Sequence, residues 1–367
     1  MNDRDLLDLH RTIVSVPSRS GGEGAICDFL AGWLADRGVQ TGRVGNSLFA
    51  SIGERPVVCL NTHIDTVPEV AGWTRPPFRA TVEGGRVYGL GSNDAKASVA
   101  AMAAAFVRLR DRGVAHGVGV VLTLVEGEET DGGGTRSLLP ELARRGMAPA
   151  AVVVGEPTGL DVVVAQKGRM VLELSCKGDS CHAAHGRALG ARNAIAALAR
   201  DLAALADTDL GQPDPLLGPA TLEPTLVSGG VATNVVPGEA TCTLDVRTNP
   251  GSHPGTLVAR LREVVAGDLR VVGDPAPPCH TDRDHPQGRA ALAARPAARL
   301  AGSRGLSDWV FFQGVPGIKV GPGRTERSHT ADEYVLADEV IEGACFYERL
   351  VLEWAPSPCS ATRPPPR

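Results

Sequence analysis

The chain has 367 residues, of which 43% are hydrophobic and 22% charged, with 37 basic against 42 acidic side chains and a net charge of −5. That length suggests about two domains with a substantial core, and the charge balance excludes the cationic footprint of a nucleic-acid or anionic-membrane binder. The polar start Met1-Asn2-Asp3 lacks the basic and apolar regions of a signal peptide, no apolar stretch approaches the roughly 20 residues of a spanning helix, and eight scattered cysteines without a Cys-x-x-Cys pair read as the reduced thiols of a cytoplasmic protein.

Helical apolar spacing covers Leu6 to Val14 and Ala25 to Gly38, and Gly38 suits a helix C-terminus. Val57 to Leu60 is a short, wholly apolar run of the kind found in buried parallel strands. Val82 to Tyr88, turning at Gly84-Gly85, reads as a hairpin. Ala95 to Arg112 has the spacing of an alanine-rich helix, Val118 to Val125 that of a second buried strand, Gly134 to Arg145 a helix and Ala151 to Val154 a strand. Strands alternating with helices indicate an α/β layer. Beyond Gln166 the character changes. Met170 to Cys176 alternates apolar with polar residues, Ala188 to Ala206 reads as a helix, Thr225 to Val227 and Glu239 to Arg247 as strands, Thr256 to Val265 as a helix and Leu269 to Val272 as a strand. This block predicts a smaller α+β domain, closed by the proline-rich Asp274 to Pro278. The apolar runs at Val310 to Phe312 and Ile318 to Val320, with a helix from Asp338 to Leu352, then resume the α/β pattern. The expected organisation is a discontinuous α/β domain (1–166 and 279–355) interrupted by an α+β insertion (167–278), with a proline-rich, disordered tail at 356–367.

Chargeable residues gather where the buried strands end: His63-Ile64-Asp65, Asn93-Asp94, Glu128-Glu129 and Gly155-Glu156, with Ser328-His329-Thr330 far downstream. Taken singly, each has a plain reading: a core histidine, a helix N-cap, an acidic loop. Taken together they fall at the carboxyl ends of strands, where open α/β sheets bind ligands. Two imidazoles and three or more carboxylates can hold two divalent cations, and a donor set of nitrogen and carboxylate without cysteine suits Zn²⁺, with Co²⁺ or Mn²⁺ as substitutes. His63 and Asp65 are two apart, so in extended backbone both side chains point the same way, and Asp65 is placed to hold the second nitrogen of His63.

Asn61-Thr62-His63-Ile64-Asp65, Tyr88 to Lys96, Glu128-Glu129, Gly155-Glu156-Pro157, Gly178 to Ala183, Gly229 to Pro237, Asp245-Val246-Arg247 and Gly321 to Tyr334 follow in an order that resembles one family. It is the dinuclear zinc family of acetylornithine deacetylase, succinyl-diaminopimelate desuccinylase, aminoacylases and glutamate carboxypeptidases, and the resemblance runs from residue 5 to about 352. It implies a metallopeptidase catalytic domain, a mixed sheet flanked by helices, with the insertion as a lid that also forms a homodimer. It further implies His63 and Glu156 on one cation, Glu129 and His329 on the other, Asp94 bridging, Asp65 as supporting acid and Glu128 as general base. His182, Asn234 and Arg247 would meet substrate, and Lys167, Arg169 and Arg324 are further cations for an anionic substrate end. Two departures stand out: Ala97 and Gly127 replace a Gly and an Asp common in relatives.

The implied activity is metal-dependent hydrolysis of the amide of an N-acyl amino acid, with N-acetylornithine as the leading substrate. Succinyl-diaminopimelate, N-acetylcitrulline and small peptides are the alternatives. A non-catalytic amino-acid or peptide binder that kept the fold is the competing class, and it would be favoured by loss of a ligand or of Glu128, neither of which is seen here.

Overall fold

The computed structural model describes residues 1–53, 57–113, 118–252 and 254–354. The tail expected to be disordered, 356–367, and Cys359 lie outside the described residues. The chain forms two compact units: Met1–Val164 with Thr281–Ala301 and Ser307 onward, and Ala165–His280 with Gly302–Leu306. The short return of Gly302–Leu306 to the second unit carries no mark in the sequence.

The first unit is built on a mixed sheet in the order Gly42–Val44, Ser47–Ile52, Gly119–Val125, Val57–His63, Ala151–Val154, Gly317–Lys319, Val162–Gln166. Gly119–Val125, Val57–His63, Ala151–Val154 and Gly317–Lys319 are mutually parallel and form its centre. Every residue of Val57–His63 and Gly119–Val125 is buried, as expected of strands covered on both faces. The helix Lys96–Asp111 is buried on nearly every side because alanine lets neighbours approach closely, and it packs against Ala337–Glu353, Asp3–Val14 and the sheet. Gly155 is one place where this packing reaches the site. A Cβ there would come within 2.8–3.0 Å of Met102, Ser98 and Thr62, so only glycine lets the strand end close on the helix just before Glu156.

The second unit is a four-stranded antiparallel sheet in the order Thr221–Gly229, Glu239–Thr248, Gly168–Lys177, Asp268–Ala276. Alternate residues Leu172, Leu174, Leu244 and Val246 pack with Leu198, Leu205, Leu257 and Leu261 of its two longer helices, Ala194–Ala206 and Pro254–Val264. Among the described residues, no helix is long and apolar enough to cross a membrane, and seven cysteines are free thiols.

Most elements lie within a few residues of their sequence assignment, and the exceptions have local causes. The helix assigned to Ala188–Ala206 begins at Ala194, because Gly190 adopts φ +66° and the Asn193 side chain caps the amide of Ala196. The apolar run at Val310 to Phe312 overlaps a single 3₁₀ turn, Asp308–Phe311, and ends at its C-cap Phe312. The strand glimpsed at Thr225–Val227 runs from Thr221 to Gly229; Pro224 and a register shift there hid its length. The strand Ser47–Ile52 and the helix Pro286–Ala294 had no distinct signature.

Candidate metal centre

Parallel strands place His63, Glu128-Glu129 and Glu156 on one edge of the first unit's sheet, since His63 closes one strand and the others follow the strands ending at Val125 and Val154. His63 is 2% exposed. Its Nδ1 lies 3.2 Å from the carbonyl oxygen and 3.3 Å from Oδ1 of Asp65. Its Nε2 lies 3.3 Å from Asp94 Oδ1 and 3.9 Å from Glu156 Oε1. His329 Nε2 is 3.0 Å from Glu129 Oε1 and 3.7 Å from Asp94 Oδ2. Asp94 thus stands between the two imidazoles, one oxygen toward each, and its peptide bond to Ala95 is cis.

Asp65 organises the loop opposite. Its oxygens accept the amides of Glu128 at 3.2 Å and Glu129 at 3.1 Å and the hydroxyl of Ser20 at 2.7 Å. One carboxylate therefore orients His63 and fixes the backbone of both adjacent glutamates. His329 adopts φ +60° and Asp332 φ +55°. The turn is held by Asp332, which accepts the amides of Thr74 at 2.9 Å and Arg75 at 3.1 Å. A non-glycine residue kept in this region costs on the order of 1–3 kcal/mol and persists where its surroundings over-determine it.

The electrostatics are those of a site lacking positive charge. Burial, then the charge of Glu156, pushes the Glu128 carboxyl well above its ordinary range. Burial and the charge of Asp94 push Glu156 up to about 8. Burial opposes ionisation of Asp94 too, yet His63 and Ser328 hold it below the usual range. Burial also opposes a charge on His63, but Asp65 and Asp94 raise it well above 6.5. Glu156 Oε1 is buried without a hydrogen-bond partner. Ligand atoms of His63, Asp94 and Glu129 lie within 4.8 Å of one another, as do those of His63, Glu128 and Glu156. Crowded acids of this kind must either take up protons or gather around cations, and the unsatisfied Glu156 oxygen and the donor set fit the second. Geometry alone leaves Glu128 within reach of a cation as well as of a proton.

The residues expected to meet substrate lie in the second unit. His182 and Asn234 belong to adjoining segments: the amide of Ala183 donates to the carbonyl of Asn234 at 2.8 Å, and both side chains are exposed. His182 Nδ1 accepts the amide of Ala184 at 3.2 Å. Arg247 already holds Asp245 at 2.6 Å, and Arg169 holds the same carboxylate at 2.9 Å. Lys167 donates to the carbonyl of Pro219. In the first unit, Arg324 enters through its backbone, which exchanges hydrogen bonds with the Asn93 side chain.

Several residues behind the site escaped sequence reasoning. Glu333 is 1% exposed and accepts three backbone amides around Asp94. Lys96 is wholly buried, its Nζ donating to the carbonyl of Val16 at 2.9 Å. Asp308, raised to about 7 by burial, accepts the Thr135 hydroxyl at 2.6 Å. Each looks like a loop or helix charge in one dimension, and only the fold buries it.

The chain is similar to known proteins along most of its length. Residues 59–353 match Peptidase family M20/M25/M40. A succinyl-diaminopimelate desuccinylase of Phenylobacterium zucineum is 30% identical over 95% of this chain and 98% of its own. A metallo-carboxypeptidase of the M20 family from Sulfolobus solfataricus superposes with TM-score 0.78 at 18% identity, covering 97% of this chain and 100% of that one. A Bacillus subtilis protein described as a dinuclear metal-binding peptidase of the same family superposes with TM-score 0.71 at 18% identity, covering 95% and 97%.

His329 offers a direct test of the electrostatics. Its hydrogen bond to Glu129 raises it to about 9. A pKa raised above the unfolded value near 6.5 contributes stability that is fully present below that value and is lost as pH rises through about 9. In chelator-treated protein, the His329 ring resonances are expected to titrate near 9 by NMR and to fall toward 6.5 in Glu129→Gln. Titration near 6.5 in the unmutated protein would show that the pair does not form.

Proposed function

The chain belongs to peptidase family M20/M25/M40 and is a metal-dependent hydrolase, and from that premise we propose that it binds two divalent cations and hydrolyses the amide bond of an N-acyl amino acid. The observation that carries this reading is the convergence of His63, Asp94, Glu129, Glu156 and His329 at one edge of the first unit's sheet, with Glu128 beside them. Zinc is the proposed metal, with cobalt or manganese as substitutes, because the donors are imidazole and carboxylate.

In the proposed arrangement His63 and Glu156 hold one cation, Glu129 and His329 the other, and Asp94 serves both. Such a pair supplies an activated water and an electrophile for the carbonyl oxygen. The chain supplies the proton path. Glu128 lies beside the candidate cation ligands, and as a carboxylate it would take a proton from the attacking water and deliver it to the nitrogen of the leaving amine, burial strengthening its hold on that proton in between. Asp65 keeps Glu128 aimed by holding its amide. His182, Asn234 and Arg247 are proposed to bind substrate, with Arg247 exchanging Asp245 for a substrate carboxylate.

N-acetylornithine is the leading substrate on whole-chain resemblance. N-succinyl-diaminopimelate stands beside it because relatives bear that desuccinylase name, and N-acetylcitrulline and dipeptides complete the set. A panel of N-acetyl and N-succinyl amino acids and dipeptides, scored as kcat/KM with added Zn²⁺ or Co²⁺, ranks them. Glu128→Gln is expected to lower kcat by about 10²–10⁴-fold while both cations stay bound by elemental analysis. A variant that lost a cation instead would make Glu128 a ligand. Amine release unaffected by chelation would end the metal reading.

A homodimer through the second unit is proposed on a separate observation. Strand Thr221–Gly229 lies at the edge of its sheet with Leu226 69% and Val227 66% exposed, a surface of the type that pairs with another chain. Light scattering should find a dimer, and Leu226→Glu should shift it to monomer. A wild-type monomer would refute the proposal.

A further inference from the structure

Asp94 and His329 reach the site on two loops separated by more than half the chain, and their relative position is set by a clasp that neither ligand explains. Glu333 lies four residues beyond His329 and is 1% exposed. Its Oε1 accepts the amides of Asn93 at 3.0 Å and Asp94 at 2.9 Å, and its Oε2 accepts that of Gly91 at 3.0 Å. Its carbonyl accepts the amide of Gly89 at 3.0 Å. Gly91, at φ +74°, bends the loop so that these amides converge.

Asn93 completes the clasp from the other side. Its Nδ2 donates to the carbonyl of Arg324 at 3.0 Å and to Ser328 Oγ at 3.1 Å, while its Oδ1 accepts the amide of Arg324 at 2.9 Å. Gly323 makes room for it, since a Cβ there would lie 2.2 Å from Asn93 Oδ1. Glu333 from the His329 loop thus grips the Asp94 loop, and Asn93 from the Asp94 loop grips the segment leading into His329. By contrast, His63 and Glu156 are placed by the ends of adjacent strands of the sheet, outside the clasp.

We propose that Glu333 and Asn93 are positioning residues that together set the distance between Asp94 and His329, and so govern the affinity of the cation held by Asp94, Glu129 and His329 more strongly than that of the His63–Glu156 cation, which meets the clasp only through the shared Asp94. The proposal rests on the two-cation reading above. Its physical content is selectivity: a carboxylate receiving three buried amides is rigid, and groups behind metal ligands typically tune affinity by about 10–100-fold.

The test is Zn²⁺ uptake by chelator-treated protein, measured by competition with a chromophoric chelator, with thermal unfolding of the stripped proteins followed in parallel. Glu333→Gln keeps the volume but turns an NH₂ group toward a backbone N–H. Asn93→Ala removes the opposite grip without touching Glu333. Each is expected to weaken one of two Zn²⁺ equivalents by about 10–100-fold and the other, which shares only Asp94 with the clasp, by clearly less. Ser92→Ala, whose hydroxyl reaches only the Glu333 carbonyl at 3.3 Å, is expected to bind both equivalents as wild type does. Variants that bind both equivalents like wild type, or lose both in parallel with a drop in the melting temperature of the stripped protein, would overturn the proposal, the latter by showing general destabilisation. Wild type failing to take up two equivalents would instead overturn the two-cation reading, and the proposal with it.

Discussion

The structure of the first unit turns on mutual repulsion among carboxylates. Asp94, Glu128, Glu129 and Glu156 are driven together at the end of a parallel sheet, where burial and neighbouring carboxylates push both Glu128 and Glu156 toward their protonated forms. The imidazoles of His63 and His329 offset part of this, and Glu156 keeps an oxygen with no hydrogen-bond partner. A fold would not sustain that arrangement for packing alone, since apolar residues of similar volume would be less costly. It becomes favourable when cations occupy the middle, so the same electrostatics that oppose the isolated protein make it a receptor for metal.

Holding such a cluster requires rigid surroundings, and these come from two directions. The sheet supplies fixed strand ends, packed closely enough that Gly155 has no room for a side chain. The loops are tied by buried acids that accept backbone amides: Asp65 under Glu128-Glu129 and Glu333 under Asp94. In both cases a buried carboxylate fixes the backbone of an acid in the candidate metal centre. This division between candidate ligands and the acids that hold their loops is the organising logic of the site.

Much of this was legible in one dimension. The buried strands, the alanine-rich helix, the Gly84-Gly85 hairpin and the change of character after Gln166 follow from periodicity and turn chemistry, which are local properties. The candidate ligands were legible because His63, Asp94, Glu129 and Glu156 directly follow strands or open a helix, where a sheet's binding edge must lie. Glu333, Lys96 and Asp308 were not, because burial is conferred on them by segments remote in sequence. The start of the helix at Ala194 was misjudged for a related reason: apolar residues report that a segment is buried, not which backbone conformation its neighbours permit.

The sequence by itself determined the residue chemistry: imidazoles and carboxylates at strand ends, no cysteine among them, and a second block with the alternation of an antiparallel sheet. Only the tertiary structure decided which of these meet. His329 comes to Glu129 across 200 residues of chain, and Glu333 becomes a clasp rather than a surface charge, because hydrogen bonds and Coulomb attraction act through distances in space that chain order does not encode.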